Sequence, residues 1–578
     1  MRKIISAIAM LLGVAALIVG IGQKTFWAPP ETVTASMPQF SDEAPLTVIE
    51  PTINDAHLAP VELVIKGEGE FTASLARSAE VQAWVDDAAH VTLEGIDRAN
   101  ASLQANYTDG KKEVPNPAGD DIFFDSQKAD GTMTYRWTAP DDGQWSLLLA
   151  ADGKKPAPVD ISITYDNDDA MPWALPLIII GALLLVLGAA LLAVRGNTKK
   201  TPAKSPAQFS VALAAVLALG TGAVSLPMSP TESSKESEPA KSDEAKASDE
   251  AKESEQKSEQ ATETESSKDA ASTDAESLAY PVVTEEQLTR LLKDVQKQIG
   301  AADDKHDSDR LGWRAAGAFK SIRDTRYKIL KDKIKGAEKL IPVETSVVRS
   351  AAVPNASEVK FPRRITVVTA KDQDANTLPT ALTLQQDNAR ANYKVVFAAK
   401  MLPNSTFPGI AVGDPSVKQL EPDAKGLKAT PKDAAKALAK VMGDEKAKEK
   451  DQFEKSALLE QLHAKQKDED KNRDEAKIER KTSVNEKDTS VISTPDGGAL
   501  VTARINEKVT FSRGEDADVL DVVNDLTKAL LGSSTSNKAV EVSYATPVMF
   551  YIPAADSDQK ISLIAGEVTL LGAKQADD

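Results

Sequence analysis

Apolar positions along this chain follow three patterns. The first is the uncharged run. Residues 4–22 are apolar apart from Ser6 and follow Arg2 and Lys3; residues 173–194 carry no charge; residues 209–226 are shorter and hold Ser210, Thr221 and Ser225. At 1.5 Å per residue, a helix over 4–22 reaches about 28 Å, enough for the hydrocarbon core of a bilayer. A cleaved signal peptide would need small residues a few positions further on. Gln23, Lys24, Phe26 and Trp27 stand there instead, so the first run is read as an uncleaved anchor with Phe26 and Trp27 at the outer interface. Trp173 marks the interface of the second run. Ala223 and Ser225 have signal-peptidase spacing, which leaves release of the C-terminal part as the alternative to a third span.

The second pattern has period two and fills residues 25–170. Met133, Tyr135 and Trp137 alternate with polar neighbours, a turn over 139–143 follows, and Trp145 and Leu147 open the return strand. Leu63 and Ile65 alternate in the same way, as do Ile161, Ile163 and Tyr165. Short alternating runs broken by Gly, Asp and Pro predict an all-β extracytoplasmic domain of antiparallel sandwich type. Trp84, Trp137 and Trp145 read as filling between sheets; the competing reading is a sugar-stacking platform.

The third pattern is helical and begins at residue 280. Thr284 and Gln287 form a capping box, and Leu288, Leu291, Leu292, Val295 and Ile299 follow at helical spacing. A second helix is predicted over 309–335, then strands over 365–368, 381–384 and 393–399. Thr430, Pro431 and Asp433 start another helix, a long charged helix is expected over 446–481, and strands follow over 489–493, 499–512, 540–552 and 561–571, with a helix over 516–531. The repeated order of helices then strands divides this α+β region into two tandem units, 280–426 and 427–578. Between the third apolar run and the first helix, residues 229–277 are mostly Ser, Glu, Lys, Ala, Asp and Thr without an aromatic residue. That composition predicts a disordered tether.

Charge orders these parts about a membrane. Arg2 and Lys3 precede the first run, while Arg195, Lys199, Lys200 and Lys204 fill the short loop 195–208 between the second and third. Basic residues are retained on the cytoplasmic side, so three spans place 25–170 and everything after 226 outside. The net charge of -18, from 69 basic and 87 acidic residues, argues against a nucleic-acid partner. With no cysteine, thiolate metal sites and disulfides are excluded. The four histidines are scattered, His306 and His463 in charged surroundings that predict solvent exposure. No phosphate-binding loop follows Gly110-Lys111 or Gly153-Lys154, so no nucleotide, cofactor or metal is expected and no catalytic residue is assigned. Asp303-Asp304 and Asp141-Asp142 read as turn residues.

The start 22–30, Gly-Gln-Lys-Thr-Phe-Trp-Ala-Pro-Pro, resembles a family of actinobacterial membrane proteins of unknown function. The stretch 135–149 is similar to the closing hairpin of bacterial jelly-roll and immunoglobulin-like modules. The C-terminal region resembles the cone-shaped nuclear-transport-factor-like fold. That likeness implies that 310–313 and 323–327 lie on one long helix lining a cone. Together these resemblances imply a membrane-held cell-envelope protein, a non-catalytic binder or scaffold for another envelope protein or a cell-wall component. The alternative is an extracytoplasmic enzyme using a pocket in the C-terminal region on envelope polymer or lipid.

Overall fold

A computed structural model describes residues 2–28, 30, 32–38, 43–55, 62–137, 140, 143–166, 173–193, 280–332, 340, 342–356, 359–374, 377–410, 413–471, 476–514, 517–522 and 524–576. The third apolar run, the tether, and Arg195, Lys199, Lys200 and Lys204 lie outside these residues. The chain forms two compact units. One holds residues 1–28 and 170–275; the other joins 29–169 to 276–578.

The first unit contains two apolar helices, Arg2–Lys24 and Ala174–Ala193, each long and apolar enough to cross a membrane. They pack antiparallel along a seven-residue repeat of small side chains. A Cβ at Gly13 would stand 2.9 Å from the Gly181 carbonyl, and one at Gly181 would stand 2.8 Å from the Gly13 carbonyl. Gly20 lies on Ala174, and one more heptad away Ser6 Oγ donates to the Gly188 carbonyl at 2.6 Å. Small residues let two backbones approach closely where no hydrophobic force drives helices together. Leu11, Leu12, Leu183 and Val186 point outward, more than half exposed. Phe26 is exposed, Trp27 folds back on Gly22, and Trp173 is exposed at the start of the second helix.

In the second unit, residues 29–169 form eight strands: β1 Thr32–Ser36, β2 Leu46–Ile49, β3 Glu62–Arg77, β4 His90–Asp97, β5 Ser102–Thr108, β6 Asp125–Arg136, β7 Trp145–Ala150 and β8 Asp160–Asp166. The alternation is as expected: Met133, Tyr135, Trp137, Trp145, Leu147, Ile161 and Ile163 are buried. The connectivity differs from an antiparallel sandwich. One ladder runs β3-β7-β2-β4-β5-β1-β8 and closes because β8 pairs with β3, making a seven-stranded barrel with β6 on the other edge of β3. Its β1–β5 and β2–β4 pairs are parallel. β3 achieves closure by changing partners along its length: residues 62–66 pair with β8 and residues 72–77 with β7. The change falls at a register shift between Lys66 and Glu70, where Gly69 has φ +90, a conformation that suits glycine. Trp84, Trp137 and Trp145 are core residues, at most 4% exposed.

Residues 280–576 begin with the helix Glu285–Asp303, whose Thr284–Gln287 capping box forms as predicted. The next helix is broken. Ser308–Leu311 is a single turn, and Gly317–Lys331 starts afresh after Ala316 N donates to the Val395 carbonyl and Gly317 takes φ +53. Trp313 therefore sits in a turn and not on a long helix. An antiparallel sheet of four strands follows: Val347–Ala352, Arg363–Ala370, Thr380–Gln386 and Lys394–Lys400.

The later part has two helices, Pro431–Gly443 and Ala457–Lys471, and a seven-stranded sheet built on the long pair Ala499–Arg513 and Val540–Ile552. The expected long charged helix is shorter, and Ala476–Val484 is an edge strand with Lys477, Glu479 and Lys481 on its exposed face. Helix propensity favoured Lys and Glu there, but the period-two placement of Ile478, Arg480, Thr482 and Val484 prevails. His463 is buried, correcting its expected exposure. Its Nε2 donates to the Val441 carbonyl at 2.8 Å, while Gln466 donates to the Met442 carbonyl. Both tie off the C-terminal end of the preceding helix.

Candidate functional site

A cluster of buried polar groups lies at the seam where the C-terminal segment grips the barrel segment. The helix Ser78–Val85 follows β3 and carries Glu80, 6% exposed, in an otherwise apolar setting. Arg363, from the strand Arg363–Ala370, reaches it at 2.7 Å and is 3% exposed. Burial pushes the Glu80 carboxyl up, and Arg363 opposes that shift. The rings of Tyr280 and Tyr393 are buried with the pair, and Arg77 lies 4.3 Å from the Tyr280 ring centre. At the other end of the same helix Arg390 donates to the carbonyls of Trp84 and Val85, each at 2.7 Å, and lies over the Trp84 ring. A guanidinium at a helix C-terminus meets both orphan carbonyls and the negative end of the dipole.

A second grip holds the loop before β6. Arg314 donates to Asp121 through Nη1 at 2.5 Å and Nη2 at 3.1 Å, and to Asp294 through Nε at 2.8 Å. The Tyr393 amide donates to Asp121 Oδ2 at 2.8 Å, so this carboxylate accepts three hydrogen bonds from the C-terminal segment. Gln287 uses one end of its amide for the helix cap and donates with the other to the carbonyls of Asp121 and Ile122. Arg290 donates to the carbonyls of Phe123 and Phe124. Four arginines and one glutamine of the C-terminal segment thus satisfy acids and carbonyls of the barrel segment, as buried polar groups require.

This second compact unit holds two notable clefts. One of about 680 Å³ lies along the seam, with Asp120, Asp125 and Lys128 from the barrel segment and Asp294, Trp313 and Asn392 from the other. Asp120 accepts a hydrogen bond from Trp84 Nε1 at 2.9 Å, and burial, with Asp121 beside it, pushes its carboxyl up to about 6. The other, of about 580 Å³, lies within the C-terminal segment between apolar walls that include Phe319, Leu458 and Leu570. Its polar side groups Lys465, Glu507 and Tyr544, with Lys465 Nζ over the tyrosine ring, and burial raises the Glu507 carboxyl.

Among the sequence-predicted positions, Phe26, Trp27 and Trp173 are exposed at helix ends in the first unit. Lys3 lies in the first helix, as does Arg2 by its backbone, and the remaining basic residues fall outside the described ones. The seam arginines are not among the predicted positions. Their signal in the sequence is slight: one acid, Glu80, inside an apolar helix. Residues 279–575 match the family described as Domain of unknown function (DUF8094). No curated protein and no solved structure matches the chain.

Proposed function

Since the chain belongs to the DUF8094 family, whose description gives a domain and no activity, we propose a role from the geometry: a membrane-held envelope protein whose barrel and C-terminal segments make one exterior binding body. The carrying observation is the pair of buried ionic grips, Glu80–Arg363 and Asp121–Arg314, between segments that flank residues 170–279. Contacts of this kind form only between groups on one side of a bilayer. The antiparallel helices 2–24 and 174–193 support an arrangement in which 29–169 leaves the membrane on one side and residue 194 emerges on the other. For 280–576 to reach the barrel, the connection must cross again, and 209–226 is its apolar run. Three spans with Arg2, Lys3, Arg195, Lys199, Lys200 and Lys204 inside follow from this reading.

The body has the features of a binder or scaffold for an envelope protein or cell-wall component. Its buried arginines at the seam are engaged in joining the two segments, which supports a structural, binding role for this body. The absence of cysteine gives a clean test. Lys154→Cys, Lys200→Cys and Lys425→Cys variants are treated in intact cells with a membrane-impermeant maleimide. The first and third should label at once, and the second only after permeabilisation. Protection of Lys425→Cys alongside Lys200→Cys would overturn the arrangement.

A further inference from the structure

Trp313 stands apart from the other described tryptophans of its unit. Trp84, Trp137 and Trp145 are at most 4% exposed, whereas Trp313 is 61% exposed on the wall of the cleft along the seam. It is also held in place. Its neighbour Arg314 is locked into Asp121, Asp294 and the Tyr393 carbonyl, and Val395 N donates to the Arg314 carbonyl at 2.9 Å, so the backbone of this turn is fixed on both sides of the indole. The Arg310 guanidinium lies 5.6 Å from the indole centre and is itself bonded to Gln298 at 3.3 Å. An indole kept in water by a rigid frame is a preformed contact surface, with its ordering cost met at folding.

The groups around it select the ligand. The cleft volume lies within the ~300–1,000 Å³ range of small-molecule sites. Its walls carry four carboxylates, Asp120, Asp121, Asp125 and Asp294, against the cations Lys128, Arg290 and Arg314. Arg314 pairs with both Asp121 and Asp294, and four carboxylates against three cations leave a formal charge of only -1 over the whole cleft, little to hold a free anion or cation. The carboxylates accept hydrogen bonds, the Gln298 and Asn392 amides both accept and donate them, and these planar groups share one cleft with an aromatic surface. An uncharged molecule with an apolar ring face and a rim of hydroxyls satisfies both.

We propose that the cleft binds a neutral saccharide chain, one sugar ring stacking on Trp313 and its hydroxyls bonding to Asp120, Asp125 and Asp294. This rests on the binding reading above and gives it a ligand class; it is independent of the number of membrane spans. The test uses the full chain purified in a sugar-free detergent, because maltoside headgroups would compete. Maltotetraose, cellotetraose, chitotetraose and mannotetraose are titrated by calorimetry, with tryptophan fluorescence read in parallel. At least one should bind and shift the emission. Trp313→Ala should weaken it at least tenfold with an unchanged unfolding midpoint, and Trp313→Tyr should retain part of it. If none of the four binds, or if binding survives Trp313→Ala, the proposal is wrong. A failed maleimide test with saccharide binding intact would remove the topology and leave this site standing.

Discussion

Replacing Arg363 with Met removes the cation that forms the buried ion pair with Glu80, and the consequence follows from burial. The two side chains are 3% and 8% exposed and meet at 2.7 Å, so water does not reach the carboxylate once its partner is gone. Breaking a buried pair by removing one partner costs about 3–5 kcal/mol, because a desolvated charge is left behind. Replacing both, with Glu80→Met added to Arg363→Met, removes that charge and should recover most of the loss. The pH dependence distinguishes this cause from lost packing. Burial already raises the Glu80 carboxyl in the native state, and without Arg363 the main opposing influence is gone, leaving only the weaker effect of Arg77. A group with a raised native pKa contributes stability fully present below its unfolded pKa and lost as pH rises through the native one. Arg363→Met should therefore be most destabilised at neutral pH and approach the wild type as the medium is acidified. Urea unfolding of the purified full chain, followed by fluorescence of Trp84, Trp137 and Trp145, measures each variant. A loss under about 1 kcal/mol for Arg363→Met, or a double variant no more stable than the single one, would refute the reasoning.

Two further outcomes are expected. Asp120, raised to about 6, makes the wild type most stable relative to Asp120→Asn below about pH 4, with that advantage falling by roughly 1–2 kcal/mol as pH rises through 6; parallel unfolding curves across pH check this, and a flat difference would contradict it. Gly181→Leu puts a side chain into the Gly13 carbonyl and Leu17, so it should open the helix pair and lower the thermal midpoint in detergent, whereas the same change at the open Gly300 should not destabilise, since leucine has the better helix propensity.

The sequence made some of this legible and hid the rest for identifiable reasons. Alternation at Met133, Tyr135 and Trp137 reveals a half-buried strand, because one face of any sheet must be apolar. It is silent on closure. β3 carries one alternating pattern through both of its partners, and only the glycines at 67 and 69 mark where it bends from β8 to β7. The capping box at Thr284 and Gln287 was readable because its partners lie three residues apart. The second task of Gln287, holding the carbonyls of Asp121 and Ile122, was not, since that contact crosses more than 160 residues. Arg314, Arg363 and Arg390 look like surface cations in a chain with 69 basic residues; their burial is set by acids and carbonyls far away in the sequence. The turn that exposes Trp313 follows from the pairing of Ala315 and Ala316 with Val395, which overrides the helical propensity of 309–316.

The central claim is that the barrel and C-terminal segments are one body joined by buried ion pairs. It is tested most directly by inserting a specific protease site within residues 229–277 and cutting the detergent-purified protein. On size-exclusion chromatography the released C-terminal segment should stay with the membrane-bearing fragment, and Arg314→Met together with Arg363→Met should make it separate. A C-terminal fragment that elutes alone and folded from the unsubstituted protein would contradict the account.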